Sequence, residues 1–151
     1  MKTVLIDSYL RNLSREQRIK LTEIMEYIQS VVENAVVSSV FTLPGFTVEF
    51  LPICNIRAKG KKITVRFFQK DVFAVFADRM SDLDHGRCSI TVTDAEELKN
   101  DAIKELLRLT AVSAKVDAAF IRSIQMRDYG YYDSALLTPK KESAEESWKR
   151  A

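Results

Sequence analysis

The sequence predicts an α+β fold: an N-terminal helix, an antiparallel meander of about five strands, and a long C-terminal helix packed on one sheet face. Apolar residues recur every three or four positions over residues 15–35 and 93–127, which is the period of amphipathic helices. Between these segments apolar and polar residues alternate, which is typical of half-buried strands. Such a sheet is covered by helices on one face and leaves the other face to solvent or a partner.

The N-terminal part predicts two helical pieces. Residues 4–10 form a short helix or turn that docks on the core. Ser14 and Gln17 fit a capping box, in which the Ser14 hydroxyl accepts a hydrogen bond from the backbone N–H of Gln17 while the Gln17 side chain reaches back. The helix that follows is expected over residues 15–35, and its apolar face contains Leu21, Ile24, Ile28, Val31 and Ala35.

The middle of the chain predicts strands separated by turn residues. The segment 36–43 favours a strand, and Pro44-Gly45 is typical of a two-residue turn. Pro52 indicates a sheet edge or a break, and Lys59-Gly60-Lys61 indicates a turn. Further alternating segments follow at 46–51, 53–58, 62–69 and 88–92. The run 72–77 fits a buried strand or a helix, and its Val and Phe residues favour the strand.

The segment from Thr93 to about Arg127 predicts one long helix, with a second capping box between Thr93 and Glu96. Thirty-odd residues would span roughly 50 Å, whereas a domain of this size is roughly 40 Å across. The helix must then break near residues 109–113 or pack its second half on another subunit. Because Gly and Pro are absent, the second is favoured. We therefore expect a homodimer with an interface at Val116, Phe120 and Ile124.

The length of 151 residues predicts one domain at residues 1–137, followed by a charged, mobile tail at residues 138–151. The hydrophobic fraction of 46% suffices for a core, and the net charge of +2 favours neither nucleic acid nor a membrane. No apolar run is long enough to span a bilayer and no signal peptide is evident, so we expect a cytoplasmic protein without membrane contact. Cys54 and Cys88 are expected as buried, reduced thiols, and no cofactor is predicted.

A basic hairpin is the first candidate site. No acidic residue lies between Phe50 and Lys70, and this segment contains Arg57, Lys59, Lys61, Lys62, Arg66 and Lys70. A two-stranded basic ribbon can contact the phosphates of nucleic acid or a small anionic ligand. The alternative is a solvated hairpin whose lysines protect the strands from aggregation.

The Asp78–His85 loop is the second candidate site. Asp82, Asp84 and His85 could bind a divalent metal that polarises a water, which would indicate a metal-dependent enzyme. Their spacing matches no metal motif, and aspartates are common in ordinary turns. Nucleophilic catalysis by either cysteine would need His85 as its base. No catalytic residue is predicted, so the sequence leans away from an enzyme.

Aromatic residues form the third candidate site. Phe68 is expected on the exposed sheet face, and aromatic residue types favoured at binding hot spots continue at Tyr129, Tyr131, Tyr132 and Trp148. The tyrosines could also stack on single-stranded nucleic acid or simply cap the sheet. The sequence therefore indicates a self-associating, non-enzymatic binding, adaptor or inhibitor module that takes a protein or small anionic ligand. A viral or mobile-element accessory protein is one such class. Nucleic-acid binding through the hairpin and metal-dependent catalysis remain alternatives.

Overall fold

The computed structural model describes the backbone of residues 4–129 and the side chains of residues 6–123. It confirms the α+β class. The elements are α1 (Val4–Arg11), α2 (Arg15–Val31), β1 (Val36–Val40), β2 (Leu43–Val48), β3 (Leu51–Lys59), β4 (Lys62–Phe67), α3 (Lys70–Phe76), β5 (Asp84–His85), β6 (Ser89–Val92) and α4 (Asp101–Tyr129). Short 3₁₀ turns at Ala77–Met80 and Ala95–Leu98 precede β5 and α4. The predicted tail lies outside the described residues.

Six strands form one antiparallel sheet in the order β1-β2-β3-β4-β6-β5. Its inner face buries Phe46, Cys54, Ile56, Val65, Ile90 and Val92, which join side chains of α2 and α4 in one hydrophobic core. The opposite face, called the open face, carries exposed or half-buried residues that include Arg57, Thr64, Arg66 and Thr91. The layout is the predicted one, with the two-residue β5 added at an edge. None of the described helices combines the length and apolar character needed to cross a membrane.

The capping box of α2 is confirmed. The Gln17 backbone N–H donates to Ser14 Oγ at 3.1 Å, and the Ser14 N–H donates to Gln17 Oε1 at 2.9 Å. The helix ends at Val31, before the expected end at Ala35. The Gln29 side-chain amide lies within hydrogen-bond distance of the carbonyl oxygens of Val32, Glu33 and Ala35, and so ties the segment after the helix to its last turns.

The first hairpin turns at Phe41-Thr42 rather than at the predicted Pro44-Gly45. Both turn residues have positive φ, 51° and 69°, as in the type I′ turns that match strand twist. Gly45 lies inside β2, where its lack of a side chain allows close approach. A Cβ there would overlap the Cys54 carbonyl oxygen and lie 2.9 Å from Val40 Cγ2.

The second hairpin turns at Glu49-Phe50, again with positive φ, 52° and 69°. Pro52, predicted to mark a sheet edge or a break, lies within β3, which is an inner strand. The pairing of β2 with β3 shifts register between Phe46 and Thr47. A bulge of this kind is where a strand accommodates proline.

The prediction of a strand over residues 72–77 is wrong, because this segment forms α3. Phe73, Phe76 and Met80 are buried, whereas Ala74 and Val75 are exposed. Burial at steps of three and four is helical. Val and Phe favour strands, but tertiary packing decides here. The edge of β4 where this segment could have paired is already paired with β6.

The long helix begins later than predicted and does not break. The Thr93–Glu96 capping box is absent, and Glu97 accepts the Thr93 backbone N–H instead. Asn100 then caps α4 by accepting from the backbone N–H of Ile103 at 2.9 Å. From there α4 runs without interruption for 29 residues, a length of about 44 Å.

The second half of α4 buries small residues, namely Thr110, Ala111, Ala114 and Ala118. The helix as a whole contacts β2, β3 and α3. Small side chains let the helix axis lie close to the sheet. Leu109, Val116 and Phe120 are 43%, 61% and 61% exposed, so the two described residues of the predicted dimer interface, Val116 and Phe120, lie at the surface of the single chain.

Candidate functional site

Four of the six predicted basic residues lie together on the open face of the β3–β4 hairpin: Arg57, Lys59, Lys62 and Arg66. They share this face because side chains two positions apart along a strand point the same way, and Lys59 pairs directly with Lys62. All four are exposed, and within the described part of the chain none forms an ion pair with a carboxylate. Like charges placed opposite each other on a sheet repel. The hairpin therefore presents positive charge that an anion would neutralise.

Lys70 and Arg87 are two further exposed cations, and with Arg66 they act on Cys88. Burial raises the pKa of this half-buried thiol, and the positive charges of Lys70, Arg66 and Arg87 act in the opposite direction. These three cations therefore lie near Cys88. The name basic strip is used below for Arg57, Lys59, Lys62, Arg66, Lys70 and Arg87. Lys61, the remaining predicted basic residue, is exposed in the turn at the end of the strip.

The tip of the β1–β2 hairpin bends across the open face. Asn55 Nδ2 donates a hydrogen bond of 3.1 Å to the Val40 carbonyl, although β2 separates β1 from β3 in the sheet. The Phe41 ring contacts Phe68, with centroids 5.5 Å apart. Residues 40–43 are called the flap. Because the flap lies over it, Phe68 is 6% exposed, whereas the sequence analysis expected it on an exposed surface.

An aromatic contact orients Arg66 beside the flap. Its guanidinium carbon lies 5.4 Å from the centroid of the Phe68 ring. A cation–π contact of this kind contributes about 0.5–1 kcal/mol at an exposed position. A guanidinium held in one direction can donate two parallel hydrogen bonds to a carboxylate or phosphate. Phe41 is 51% exposed, so apolar surface adjoins this anion-binding group.

The predicted metal ligands are spread over a turn and a short strand. Asp82 lies in the turn, and Asp84 and His85 form β5. His85 Nδ1 lies 3.0 Å from the Gly86 carbonyl oxygen. Within the residues that the structure describes, no three His, Cys, Asp or Glu side chains come together as a metal site would require. The metal-dependent alternative gains no support from this geometry.

The cysteines lack the chemistry of a nucleophile. Cys54 is fully buried, and burial raises the pKa of its thiol to about 12. Burial also raises the pKa of the half-buried Cys88. Both thiols are therefore protonated at neutral pH, and the thiolate is the reactive form.

Some predicted partner-binding residues cannot be placed. Tyr131, Tyr132 and Trp148 lie outside the described residues, as do the side chains of Tyr129 and Ile124. Sequence reasoning missed two exposed aromatic residues, Phe41 and Phe50, which are 51% and 92% exposed. Each lies in a two-residue turn between two strands. The alternating pattern of the strands on either side was the signal that could have identified these positions as exposed turn residues.

Comparison with known proteins shows a similar fold and nothing about function. No protein-family model matches the sequence, and no curated protein matches it. Among solved structures, the chain is similar to a crystal structure of a protein from the DUF1801 family from Bacillus subtilis, with a TM-score of 0.54 and 16% sequence identity. The match covers 82% of this chain and 90% of that one. At this identity the likeness extends to the arrangement of helices and strands.

Proposed function

We propose that this protein is a non-enzymatic binding module whose basic strip takes an anionic partner, either an acidic segment of a protein or a small anionic ligand. One observation supports this above the others. Arg57, Lys59, Lys62 and Arg66 are exposed on one face of one hairpin, and no described carboxylate pairs with them. An adaptor or inhibitor of the accessory kind needs only such a surface, and no catalytic group.

Arg57 and Arg66 form the centre of the proposed site. They lie diagonally across β3 and β4, at a spacing that long side chains bridge. Each exposed ion pair contributes only about 0.2–1 kcal/mol. Several contacts are therefore needed, and binding is expected to weaken steeply as salt rises.

Nucleic acid is the alternative occupant of the same strip. The observation that favours it is the half-exposed Phe41 beside Arg66, because bases stack on aromatic rings next to a basic groove. An acidic peptide uses the charges alone. The two occupants therefore differ in their dependence on Phe41.

We also propose that the protein is a cytoplasmic homodimer. Its support is the length of α4. Ala118 is the last buried residue among the described side chains, and the helix backbone continues to Tyr129. The described side chains after Ala118, up to residue 123, are exposed or half-buried, which leaves this part of α4 free to contact a second copy.

Charge reversal tests the anionic partner. The double variant Arg57→Glu/Arg66→Glu is compared with Arg15→Glu/Arg18→Glu, a control of equal charge change on the exposed side of α2. Fluorescence anisotropy at about 50 mM salt follows a labelled poly-glutamate peptide and a labelled oligo-dT. We expect the first variant to lose about tenfold or more in peptide affinity, or about 1.4 kcal/mol, while the control stays near wild type.

Three results would count against the proposal. Absence of peptide binding by the wild type would remove it, and equal losses in the two double variants would show that only net charge matters. Binding of oligo-dT without peptide binding would replace it with the nucleic-acid alternative. In that case Phe41→Ala should weaken oligo-dT binding.

A further inference from the structure

An apolar stripe runs along the side of α4 that faces away from the sheet. Leu109, Val112, Val116 and Phe120 are 43%, 56%, 61% and 61% exposed. Their steps of three and four place them on one side of the helix. The buried residues Ala111, Ala114 and Ala118 define the opposite side. The helix thus has two apolar sides, and the core accounts for only one of them.

The stripe has the size of a small interface. Four aliphatic and aromatic side chains at this exposure leave on the order of 400 Å² of apolar surface, comparable to the largest patch on many monomers. Two such stripes packed together would bury on the order of 800 Å² before flanking residues are included, which approaches the lower range of specific interfaces.

Phe50 adds a second apolar feature at the same end of the molecule. It is 92% exposed, and the carboxylate of its neighbour Glu49 lies 3.5 Å from Nη1 of Arg122, two residues after Phe120. Its φ of 69° is in the left-handed region, which costs a non-glycine residue about 1–2 kcal/mol. Phe50 therefore adds exposed apolar surface near the C-terminal end of the stripe.

We propose that two copies of this chain associate through the α4 stripe as a parallel helix pair about a two-fold axis. The inference rests on the homodimer of the proposed function and names its surface. A stripe that meets its own copy is self-complementary, as two-fold interfaces require. Leu109 and Val116 lie seven residues apart with Val112 between them, which is the spacing of a coiled-coil seam.

Charge on the flanks decides the direction of the pair. Arg108 and Lys115 are exposed on one flank of the seam, whereas the other flank carries Ser113 and Phe120. An antiparallel pair would bring the two basic flanks together, and like charges repel. A parallel pair brings each basic flank against the opposite flank of its mate. Lys115 would then lie near the partner's Phe120, where a cation–π contact is favourable.

A functional consequence follows from this arrangement. Each α4 would have its sheet on the outer side, so the two open faces would point away from the two-fold axis. The dimer would carry two basic strips and could engage two anionic sites on one partner, which strengthens binding through effective concentration.

The seam is tested by one charge substitution. Val116→Glu is compared with Val36→Glu, a control at another exposed valine, 55% exposed, on β1. Sedimentation equilibrium at micromolar concentrations should show that the first variant raises the dimer dissociation constant about tenfold or more, while the control leaves it unchanged. Far-ultraviolet circular dichroism checks that both variants fold.

Two outcomes distinguish the α4 interface from the homodimer on which it rests. A wild type that stays monomeric at high concentration would overturn the homodimer itself. A wild-type dimer that Val116→Glu leaves intact would overturn only the α4 stripe as its interface.

Cross-linking tests the direction in a Cys88→Ser background, with the buried Cys54 left in place. In a parallel pair, Val112→Cys and Val116→Cys each face their own mate, so each variant alone should form a disulfide-linked dimer on mild oxidation. Disulfides that form only when the two variants are mixed would show an antiparallel pair and overturn the parallel arrangement.

Discussion

Gly45→Ala tests the account of the flap. The substitution adds one carbon inside β2, where the nearest atoms belong largely to backbone. That Cβ would overlap the Cys54 carbonyl oxygen and lie 3.0 Å from Asn55 Cα. Because these atoms belong to the centre of the sheet, the hairpin that carries the flap must move instead. The change should therefore lower stability and also lift Phe41 from Phe68.

The magnitude follows from two opposing effects. Overpacking a filled site costs about 1–3 kcal/mol. The upper end applies here because backbone atoms, unlike a side chain, cannot rotate away from the added Cβ. Alanine also lowers the conformational entropy of the unfolded chain, which stabilises the folded protein by about 0.4–1 kcal/mol and offsets part of this cost. The net loss is about 2 kcal/mol. For a domain of this size, that loss lowers the melting temperature by about 4–8 °C.

Two other glycines supply matched controls for thermal unfolding followed by circular dichroism. A Cβ at Gly86 would meet only the Ser89 hydroxyl oxygen, at 2.9 Å, and that side chain can rotate away. Gly60 has open space around it but a φ of 58°, which costs alanine about 1 kcal/mol. The expected order of destabilisation is Gly45→Ala, then Gly60→Ala, then Gly86→Ala.

A Gly45→Ala protein that melts at the wild-type temperature would refute this reasoning. The hairpin would then relax without loss, and Gly45 would not be what allows the flap to reach the open face. Increased exposure of Phe68, seen as binding of a hydrophobic dye, should accompany the loss of stability if the flap lifts.

Two further predictions concern buried polarity and acid. Thr110 is fully buried, and its hydroxyl has no hydrogen-bond partner among the residues that the structure describes. Thr110→Val should therefore raise the free energy of unfolding in urea by about 1 kcal/mol, and a decrease would show that the hydroxyl is satisfied in solution. The Glu97 carboxylate accepts hydrogen bonds from the backbone N–H and hydroxyl of Thr93, which hold its pKa below the ordinary value of 4.5. Since the folded pKa is the lower one, this stability is complete above the ordinary value and is lost as pH falls through the folded pKa. The stability difference between wild type and Glu97→Gln should shrink from about pH 6 to about pH 3, and a difference independent of pH would contradict the assignment.

Local signals in the sequence predicted the parts of the fold that depend on neighbours in the chain. The Ser14–Gln17 capping box, the Gly60 turn and the alternating burial of β4 and β6 are all confirmed, whereas the first six residues of β3 are all buried. Two hairpin turns were misplaced because Phe41 and Phe50 adopt positive φ without the Gly or Asn that signals it. In the same region Pro44-Gly45 resembles a turn but serves close packing.

The remaining differences come from tertiary packing. The apolar run in α3 is too short for its period to decide between strand and helix. On α4, the apolar period did not show that small residues such as Ala114 and Ala118 form the buried side, while Val116 and Phe120 stay exposed. Available volume is set by the assembled fold and not by hydrophobicity along the chain.

The sequence likewise predicted the local part of the candidate site and not the part that depends on tertiary packing. The absence of acidic residues over 50–70 identified the basic hairpin, and alternation placed Arg57 and Arg66 on one face. The flap over Phe68 and the nearby charge of Arg87 depend on chain segments that meet only in the folded protein. No local pattern carries that information.

The two sides of α4 should show different patterns of substitution among divergent sequences that keep this fold. On the sheet side, positions 111, 114 and 118 are limited by volume, so they should vary only among small residues whatever the protein binds. On the outer side, positions 109, 112, 116 and 120 meet no such limit. If the stripe served nothing, drift would fill those positions with polar residues. Persistent apolar residues there, through changes elsewhere on the helix, would mark selection for a contact rather than for folding.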